Sequence, residues 1–365
     1  MAIPPNASWR MLLVEFIDGV ECEEGAGSVL GSLPLGPELQ SCFPAQNLTG
    51  GRLQLSELML AKLEVDLECV TGVFQSARLK EHGWEIKRQY LVDNNFTARV
   101  GGRAGRYEIQ MSLGVPLIAL STALEISWLE AVNPYSHTNW NSQRGMTYDA
   151  LERFFPEVLK LDEVGPESME LALDVCLLLH FHEVSHAVFG HCDYKAKNSD
   201  ESRSLEFDAD FNAGSMFASW LPELSSDERR SDDDEEIMAR LVKASLLLGA
   251  ILKAKSGRSM KYHLPQNRMR AFLGGGVHVL TRTGKFPEYE DVKAADMFWD
   301  EKINSCSESM RNALARSSLK NHLGAEQDVA QDEAEMMTTT HTVRTSLKDG
   351  PLSKLSFGHA ANLDF

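Results

Sequence analysis

The chain has 365 residues, of which 43% are hydrophobic and 24% are charged, an ordinary composition for a globular protein with one large core or two smaller ones. Acidic residues outnumber basic ones by 53 to 36, which gives a formal net charge of -17 at pH 7. Because this charge repels polyanions, neither nucleic acid nor an anionic membrane surface is an expected partner.

The first stretch of the chain, MAIPPNASWRMLLVEFIDGVE, predicts a strand and not a secretion signal. It has no basic leader, and Glu15 and Asp18 interrupt or close its short apolar run. The most apolar windows are too short or too polar to supply the about 20 apolar residues that cross a bilayer, so we expect no transmembrane segment. The six cysteines lack CxxC spacing and fit free thiols in a reducing compartment, which indicates a cytoplasmic protein.

Residues 1–148 predict an α+β region with a small antiparallel sheet. The stretch RLQLSELMLAKLEVDLECVTGVFQSARL has roughly helical apolar spacing, and PLIALSTALEISWLEAV is helical after a proline start. Between them RYEIQMSLGV alternates as a strand does. This strand is interpreted as an ordinary half-buried one, with an exposed edge that receives a peptide substrate as the alternative. Residues 133–145 have the composition of a loop.

Residues 149–319 predict an almost wholly helical, zincin-like metal-binding core. Short polar or glycine-containing breaks separate the predicted helices, which span about 149–160, 167–190, 200–221, 232–255, 265–282 and 289–318. After about residue 320 apolar residues become sparse and no period is sustained, so residues 320–365 are predicted to be a flexible or loosely docked tail.

The segment HFHEVSHAVFGH contains His182, Glu183 and His186 in the spacing HExxH, within an apolar helix. Side chains four positions apart on a helix point in nearly the same direction, so both imidazoles can reach one Zn²⁺. Glu183, next to the first of them, can then contact a water on the metal. Burying these groups costs several kcal/mol unless they are paired or coordinated, which favours a metal site over a chance match.

A catalytic zinc takes three protein ligands and leaves one position open, so a third ligand is expected. The downstream segment SRSLEFDADFNAGSMFASWL offers Glu206 and Asp210 on one helical face. We interpret Glu206 as the third ligand and Asp210 as the group that accepts the outer N–H of a zinc histidine. Asp208, expected to point elsewhere, and Asp193 are the alternative ligands.

HEVSHAVFGH followed by EFDAD resembles the gluzincin pattern of zinc metallopeptidases, HExxH and then ExxAD. The form HExxHxxxGH is similar to the phage-exclusion Lit peptidase family. The resemblance covers about residues 166–222 and implies the roles given above, with Glu183 as general base. It also implies a cytoplasmic protein target. The metzincin pattern HExxHxxGxxH fits worse, because Gly190 and His191 are not at the required positions.

The segment YHLPQNRMRAFL, residues 262–273, is similar to the His-Pro…Arg segment that follows the zinc helices of some gluzincins, with a departure of one residue at Leu264. If it returns to the metal, His263 or Arg268 stabilises the oxyanion of the reacting carbonyl, and the alternative is a proline-started helix with a polar cap. His191 is predicted to face away from the zinc histidines and to stabilise the helix end. His180 is predicted to be a core histidine.

The sequence thus predicts a metallopeptidase with one Zn²⁺ per chain and a protein or peptide substrate, and it leaves the oligomeric state open. A zinc hydrolase that does not act on peptides is one alternative, because the same ligands would serve it. A helical interaction or regulatory protein with a vestigial HExxH is the other.

Overall fold

The computed structural model describes residues 51–74, 83–131, 166–224, 230–256, 263–282 and 292–352. In these residues the predicted α+β class is confirmed, with a small sheet that precedes a helical core. The strand predicted near the N-terminus, the loop 133–145 and the helix 149–160 lie outside the described residues. The described helices and strands are α1 (Gly51–Phe74), β1 (Glu85–Leu91), β2 (Ala98–Arg103), β3 (Arg106–Ser112), α2 (Gly114–Ala131), α3 (Pro166–Val188), α4 (Ser199–Trp220), α5 (Asp234–Ser256), α6 (Pro265–Arg282), α7 (Val292–Leu314) and α8 (Glu326–Asp349).

The sheet is mixed, with the strand order β1-β3-β2. β2 is antiparallel to β3, but β1 is parallel to it, so the prediction of an antiparallel sheet was wrong for one of the two pairings. The connection between β1 and β2 crosses β3, so β1 pairs with β3 in the parallel direction. The alternation of apolar and polar residues within one strand does not reveal such a crossing. Because β3 is hydrogen-bonded on both sides, it is not an edge that can receive a substrate strand. The edges of this sheet are β1 and β2.

The β2–β3 hairpin ties the sheet to the chain that follows α3. Ala104 and Gly105 both have positive φ, 53° and 81°, as a two-residue type I′ turn requires. The Ala104 amide and the Tyr107 hydroxyl each donate a hydrogen bond to Asp193, at 2.8 and 2.5 Å. Ile86 and Ile109 contribute to the apolar cluster that also contains the last turns of α3. The sheet therefore packs beside the C-terminal end of α3.

Helix α3 lies at the centre of the helical core because its sequence is apolar on nearly every side. Every residue from Leu171 to Phe189 except His186 is buried, and α1, α2, α4 and α5 all contact this helix. Pro166 occupies its first turn, and Gly190, in the left-handed region at φ 81°, ends it. The stretch Glu167–Val188 is long and apolar enough to cross a membrane, but 94% of that apolar window is buried inside the protein, as in a core helix.

The C-terminal segment differs from its prediction, since residues 326–349 form a helix, α8, that packs along α4. Leu347 and Leu352 bury themselves against Leu205. Nearby, Arg203 forms an ion pair with Asp332 at 2.8 Å. The described part of the tail is thus docked on the helix that carries the predicted third ligand.

Candidate metal centre

Helices α3 and α4 bring together the three side chains that the sequence predicts as metal ligands. His182 and His186 lie one turn apart on α3, and their Nε2 atoms are 3.1 Å apart. Oε2 of Glu206, from α4, lies 3.4 Å from Nε2 of His182 and 3.8 Å from Nε2 of His186. His182 and Glu206 are buried, and His186 is partly buried.

These separations fit a single small cation. Zinc binds histidine nitrogen and carboxylate oxygen at about 2.0–2.2 Å, so two donors at tetrahedral positions are separated by about 3.3–3.6 Å. The three observed separations, 3.1 to 3.8 Å, span that range. Two imidazoles and one carboxylate are also a donor set that zinc accepts. His182, His186 and Glu206 could therefore hold one metal ion.

The charges in this cluster favour a cation. Burial alone would lower the pKa of His182, but the Asp210, Glu206 and Glu183 carboxylates outweigh it and raise that pKa to about 9. Burial would likewise raise the pKa of Glu206, yet His182 and His186 hold it well below its usual range. Glu206 is therefore an anion that faces two imidazoles across a buried space.

Asp210, one turn beyond Glu206 on α4, lies behind His182. Its Oδ1 atom is 2.8 Å from Nδ1 of His182, the ring nitrogen on the side away from the cluster. Arg268 of α6 holds this carboxylate with two hydrogen bonds, from Nε to Oδ2 at 2.7 Å and from Nη2 to Oδ1 at 2.6 Å. Both side chains are 2% exposed, so this is a buried, bidentate ion pair. Its carboxylate favours the His182 tautomer that leaves Nε2 without a proton.

Glu183 lies next to the cluster on α3 and is 7% exposed. Its charge is among the influences that raise the pKa of His182. In the described parts of the chain its carboxylate has no hydrogen-bond or ion-pair partner, unlike Glu206 and Asp210. It is thus available to a group that enters the site.

The structure places His263 and Arg268 differently from the prediction that they stabilise an oxyanion. Arg268 directs its guanidinium at Asp210, so it reaches the predicted ligands through that carboxylate. Nδ1 of His263 lies 2.9 Å from Arg203 and 3.1 Å from Asp332, which docks it against α8. The alternative prediction, a proline-started helix with polar contacts at its beginning, matches α6.

Neither alternative ligand belongs to the cluster. Asp193 accepts a hydrogen bond from the Ala104 amide of the β2–β3 hairpin, and Oδ2 of Asp208 lies 3.2 Å from Nε2 of His191. The prediction that His191 faces away from the zinc histidines was wrong, because its Nδ1 atom lies 2.9 Å from Nδ1 of His186. On a continuous helix a residue five positions on would point elsewhere, but Gly190 turns the chain back. Gly190 was the signal in the sequence for this return.

No protein-family model, curated protein or solved structure matches this chain.

Proposed function

We propose that the protein is a zinc-dependent metallopeptidase that hydrolyses a peptide bond in a protein or peptide substrate. The observation that carries the proposal is the convergence of His182, His186 and Glu206, with a Glu183 carboxylate beside them that has no partner in the described residues. Three ligands from the protein leave a fourth position open, as in catalytic zinc sites and unlike structural ones.

The proposed zinc would be held by His182 and His186, through their Nε2 atoms, and by the carboxylate of Glu206. When bound, it would polarise the scissile carbonyl and lower the pKa of an attacking water. The donor set favours zinc over calcium or magnesium, which prefer sites made of oxygen ligands only.

The side chains around the metal have separate roles in this proposal. Glu183 takes the proton from the attacking water and delivers it to the nitrogen of the leaving amine. Asp210 keeps the His182 ring in the orientation and tautomer that present Nε2, and Arg268 fixes Asp210 by two hydrogen bonds. Arg268 is therefore a positioning residue, not a group that touches the substrate.

The Glu183→Gln variant tests the assignment of the general base. Glutamine has the same shape but cannot take a proton, so we expect one zinc per chain, an unchanged fold and a loss of peptide hydrolysis of about 10²-fold to 10⁴-fold. Zinc is measured by elemental analysis, and hydrolysis by the release of new N-termini from a proteome-derived peptide mixture. Glu167→Gln, an exposed change in the first turn of the same helix, is the matched control and should retain full activity. Undiminished hydrolysis by Glu183→Gln would remove Glu183 from this role.

Loss of a ligand gives the complementary test. His186→Ala removes one of three donors, so the purified variant is expected to contain no stoichiometric zinc and to lack activity. If the unmodified protein also contains no zinc after exposure to the metal, the enzyme proposal fails and the non-catalytic interaction protein is favoured. If it holds zinc but cleaves no peptide, a hydrolase with another substrate class is favoured.

A further inference from the structure

We propose that His191 and Asp208 form an orienting relay behind the metal ligand His186, and that two cations of the C-terminal helix α8 complete this relay. The inference rests on the proposed metal centre and concerns how the protein holds its second histidine. His191 and Asp208 are positioning residues in it, since neither touches the metal.

The relay is a series of short contacts that begins at the partly buried His186 ring and continues through two buried side chains. Nδ1 of His186, the ring nitrogen opposite the metal-facing one, lies 2.9 Å from Nδ1 of His191. The other ring nitrogen of His191, Nε2, lies 3.2 Å from Oδ2 of Asp208. His191 is 5% exposed and Asp208 is 2% exposed, so water does not replace these contacts.

The positions of the protons on the ring nitrogens of this relay follow from the contacts. A metal on Nε2 of His186 requires the proton of that ring on Nδ1, where it is donated to His191. Nδ1 of His191 must then be the acceptor, which places the His191 proton on Nε2. From there it is donated to Oδ2 of Asp208. A metal bound at Nε2 of His186 would therefore be compatible with one tautomer of each histidine, and the Asp208 carboxylate at the end of the relay favours the same one.

Asp208 is fixed from three directions. Nε of Arg344 donates to its Oδ1 at 2.6 Å, and Nζ of Lys348 lies 3.3 Å from the same oxygen. Nδ2 of Asn212 donates to Oδ2 at 3.1 Å. The Arg344 guanidinium also lies over the Phe211 ring, 4.8 Å from its centre, which restricts its position. Asp208 therefore remains a charged acceptor with a defined orientation.

The two zinc histidines are thus supported in different ways. Asp210 contacts His182 directly, whereas Asp208 reaches His186 only through the intervening His191 ring. Arg268 of α6 holds the first carboxylate, and Arg344 and Lys348 of α8 hold the second. Helix α8, more than 100 residues after the ligands in the sequence, therefore belongs to the support of the metal centre.

His191→Leu tests the relay through the affinity for zinc, measured by competition with a chromophoric chelator. We expect the Kd for zinc to rise about 10-fold to 100-fold, the usual effect of removing a partner of a metal-bound histidine. His180→Leu is the matched control, because His180 is also a buried histidine, on α3, and its ring nitrogens have no hydrogen-bond partner in the described residues. This control should retain the Kd of the unmodified protein. An unchanged Kd in His191→Leu would overturn the relay.

A double-mutant cycle tests whether Asp208 acts through His191. Asp208→Asn alone should weaken zinc binding by about 10-fold. In the His191→Leu background the same change should add little further loss, because the link to His186 is already broken. An equal loss in both backgrounds would mean that Asp208 acts independently, and the relay would be wrong.

The zinc-loaded unmodified protein offers a measurement that depends on no variant. In ¹⁵N-resolved NMR of the histidine rings, His191 should carry its proton on Nε2 and none on Nδ1, and the opposite tautomer would overturn the relay. These outcomes are separable from the proposed function. If the protein binds zinc with an intact relay but cleaves no peptide, only the peptidase assignment is wrong. If it binds no zinc, both the peptidase assignment and the relay are wrong.

Discussion

Three acidic residues of α4, at alternate positions, have three different partners. Glu206 faces the space between the two Nε2 atoms, Asp208 faces His191, and Asp210 faces His182. Residues two apart on a helix point about 200° from each other, so Asp208 cannot share the face of its neighbours. It reaches the candidate ligand His186 only through His191, which lies on the turn after α3.

Arg268→Gln should affect both stability and metal binding, because it leaves the Asp210 carboxylate buried without its cation. Breaking a buried pair in this way costs about 3 to 5 kcal/mol of unfolding free energy. The freed carboxylate no longer fixes the His182 ring, so zinc affinity should fall by about 10-fold or more. Urea unfolding and chelator competition measure the two effects.

Arg240→Gln is the matched control for this prediction. Arg240 forms a second buried, bidentate pair, with Asp174 near the other end of α3, at 2.8 and 2.7 Å. Its loss should cost similar stability while the folded variant keeps the normal Kd for zinc. If Arg268→Gln instead lowers kcat at saturating zinc without changing that Kd, Arg268 acts on the substrate, as the sequence predicted.

At the residue scale the sequence predicted the candidate metal ligands and Asp210, from the HExxH spacing and from two acidic residues on one face of the next helix, and it missed the groups that reach this cluster from other parts of the fold. His182, Glu183 and His186 follow from the HExxH spacing within one helix. The direction of the His191 side chain was predicted wrongly because the helical periodicity was applied beyond Gly190, where the helix ends. Arg344 and Lys348 could not be found at all, since nothing local indicates that α8 returns to α4.

At the scale of elements, helices with strong start and stop signals were predicted nearly to the residue. The segment predicted at 265–282 is α6, and that at 200–221 is α4, whose first turn is capped by the Asn198 side chain. Helix α8 was missed because most of its residues are polar. Its buried residues nevertheless share one helical face and were a usable signal: Val329, Met336, Thr340, Arg344 and Leu347.

The triple glycine of α6 permits the close packing of α6 against α4, which carries Glu206. A Cβ atom on Gly275 would lie 1.8 Å from the Phe211 carbonyl oxygen, a backbone atom that cannot move away alone. We therefore expect Gly275→Ala to push the two helices apart and to lower the free energy of unfolding by about 3 kcal/mol, measured by urea denaturation. Zinc affinity should fall with it, because Glu206 moves with α4.

Gly274→Ala is the control, one residue away on the same helix. A Cβ atom there meets only the edge of the Phe211 ring, at 3.4 Å. Since alanine favours a helix over glycine by about 1 kcal/mol, stability should be unchanged or slightly higher. Equal destabilisation by both variants would mean that helix propensity or general crowding matters, and not the contact between the two backbones.

At the scale of the whole molecule, four of the described helices contribute to the proposed metal centre. The ligands come from α3 and α4, while α6 and α8 hold the carboxylates behind them. The docking of α8 combines its buried apolar residues with polar contacts: Asp332 accepts hydrogen bonds from the Leu264 amide and the Asn267 side chain, and it pairs with Arg203. Helix α8 is therefore held in part by ionisable side chains, and the charge on these side chains depends on pH.

Asp332 should make acid stability depend on this docking. Burial raises its pKa, but His263, Asn267 and the Leu264 amide together lower it from 3.8 to about 2. A carboxylate with a depressed pKa stabilises the folded state fully above its unfolded value, near 3.9, and the contribution disappears as pH falls through 2. We expect Asp332→Asn to lose about 1 to 2 kcal/mol relative to the unmodified protein at pH 7 and to converge with it near pH 2. Urea unfolding at several pH values measures this difference.

The formal charge of -17 also becomes smaller as acid is added, which reduces the repulsion within the folded protein. This effect is almost equal in both proteins, so it cancels in the difference between their free energies of unfolding. Asp349→Asn, an exposed change at the end of the same helix, should follow the unmodified protein at every pH. A constant difference between Asp332→Asn and the unmodified protein down to pH 2 would show that the charge of Asp332 does not hold α8.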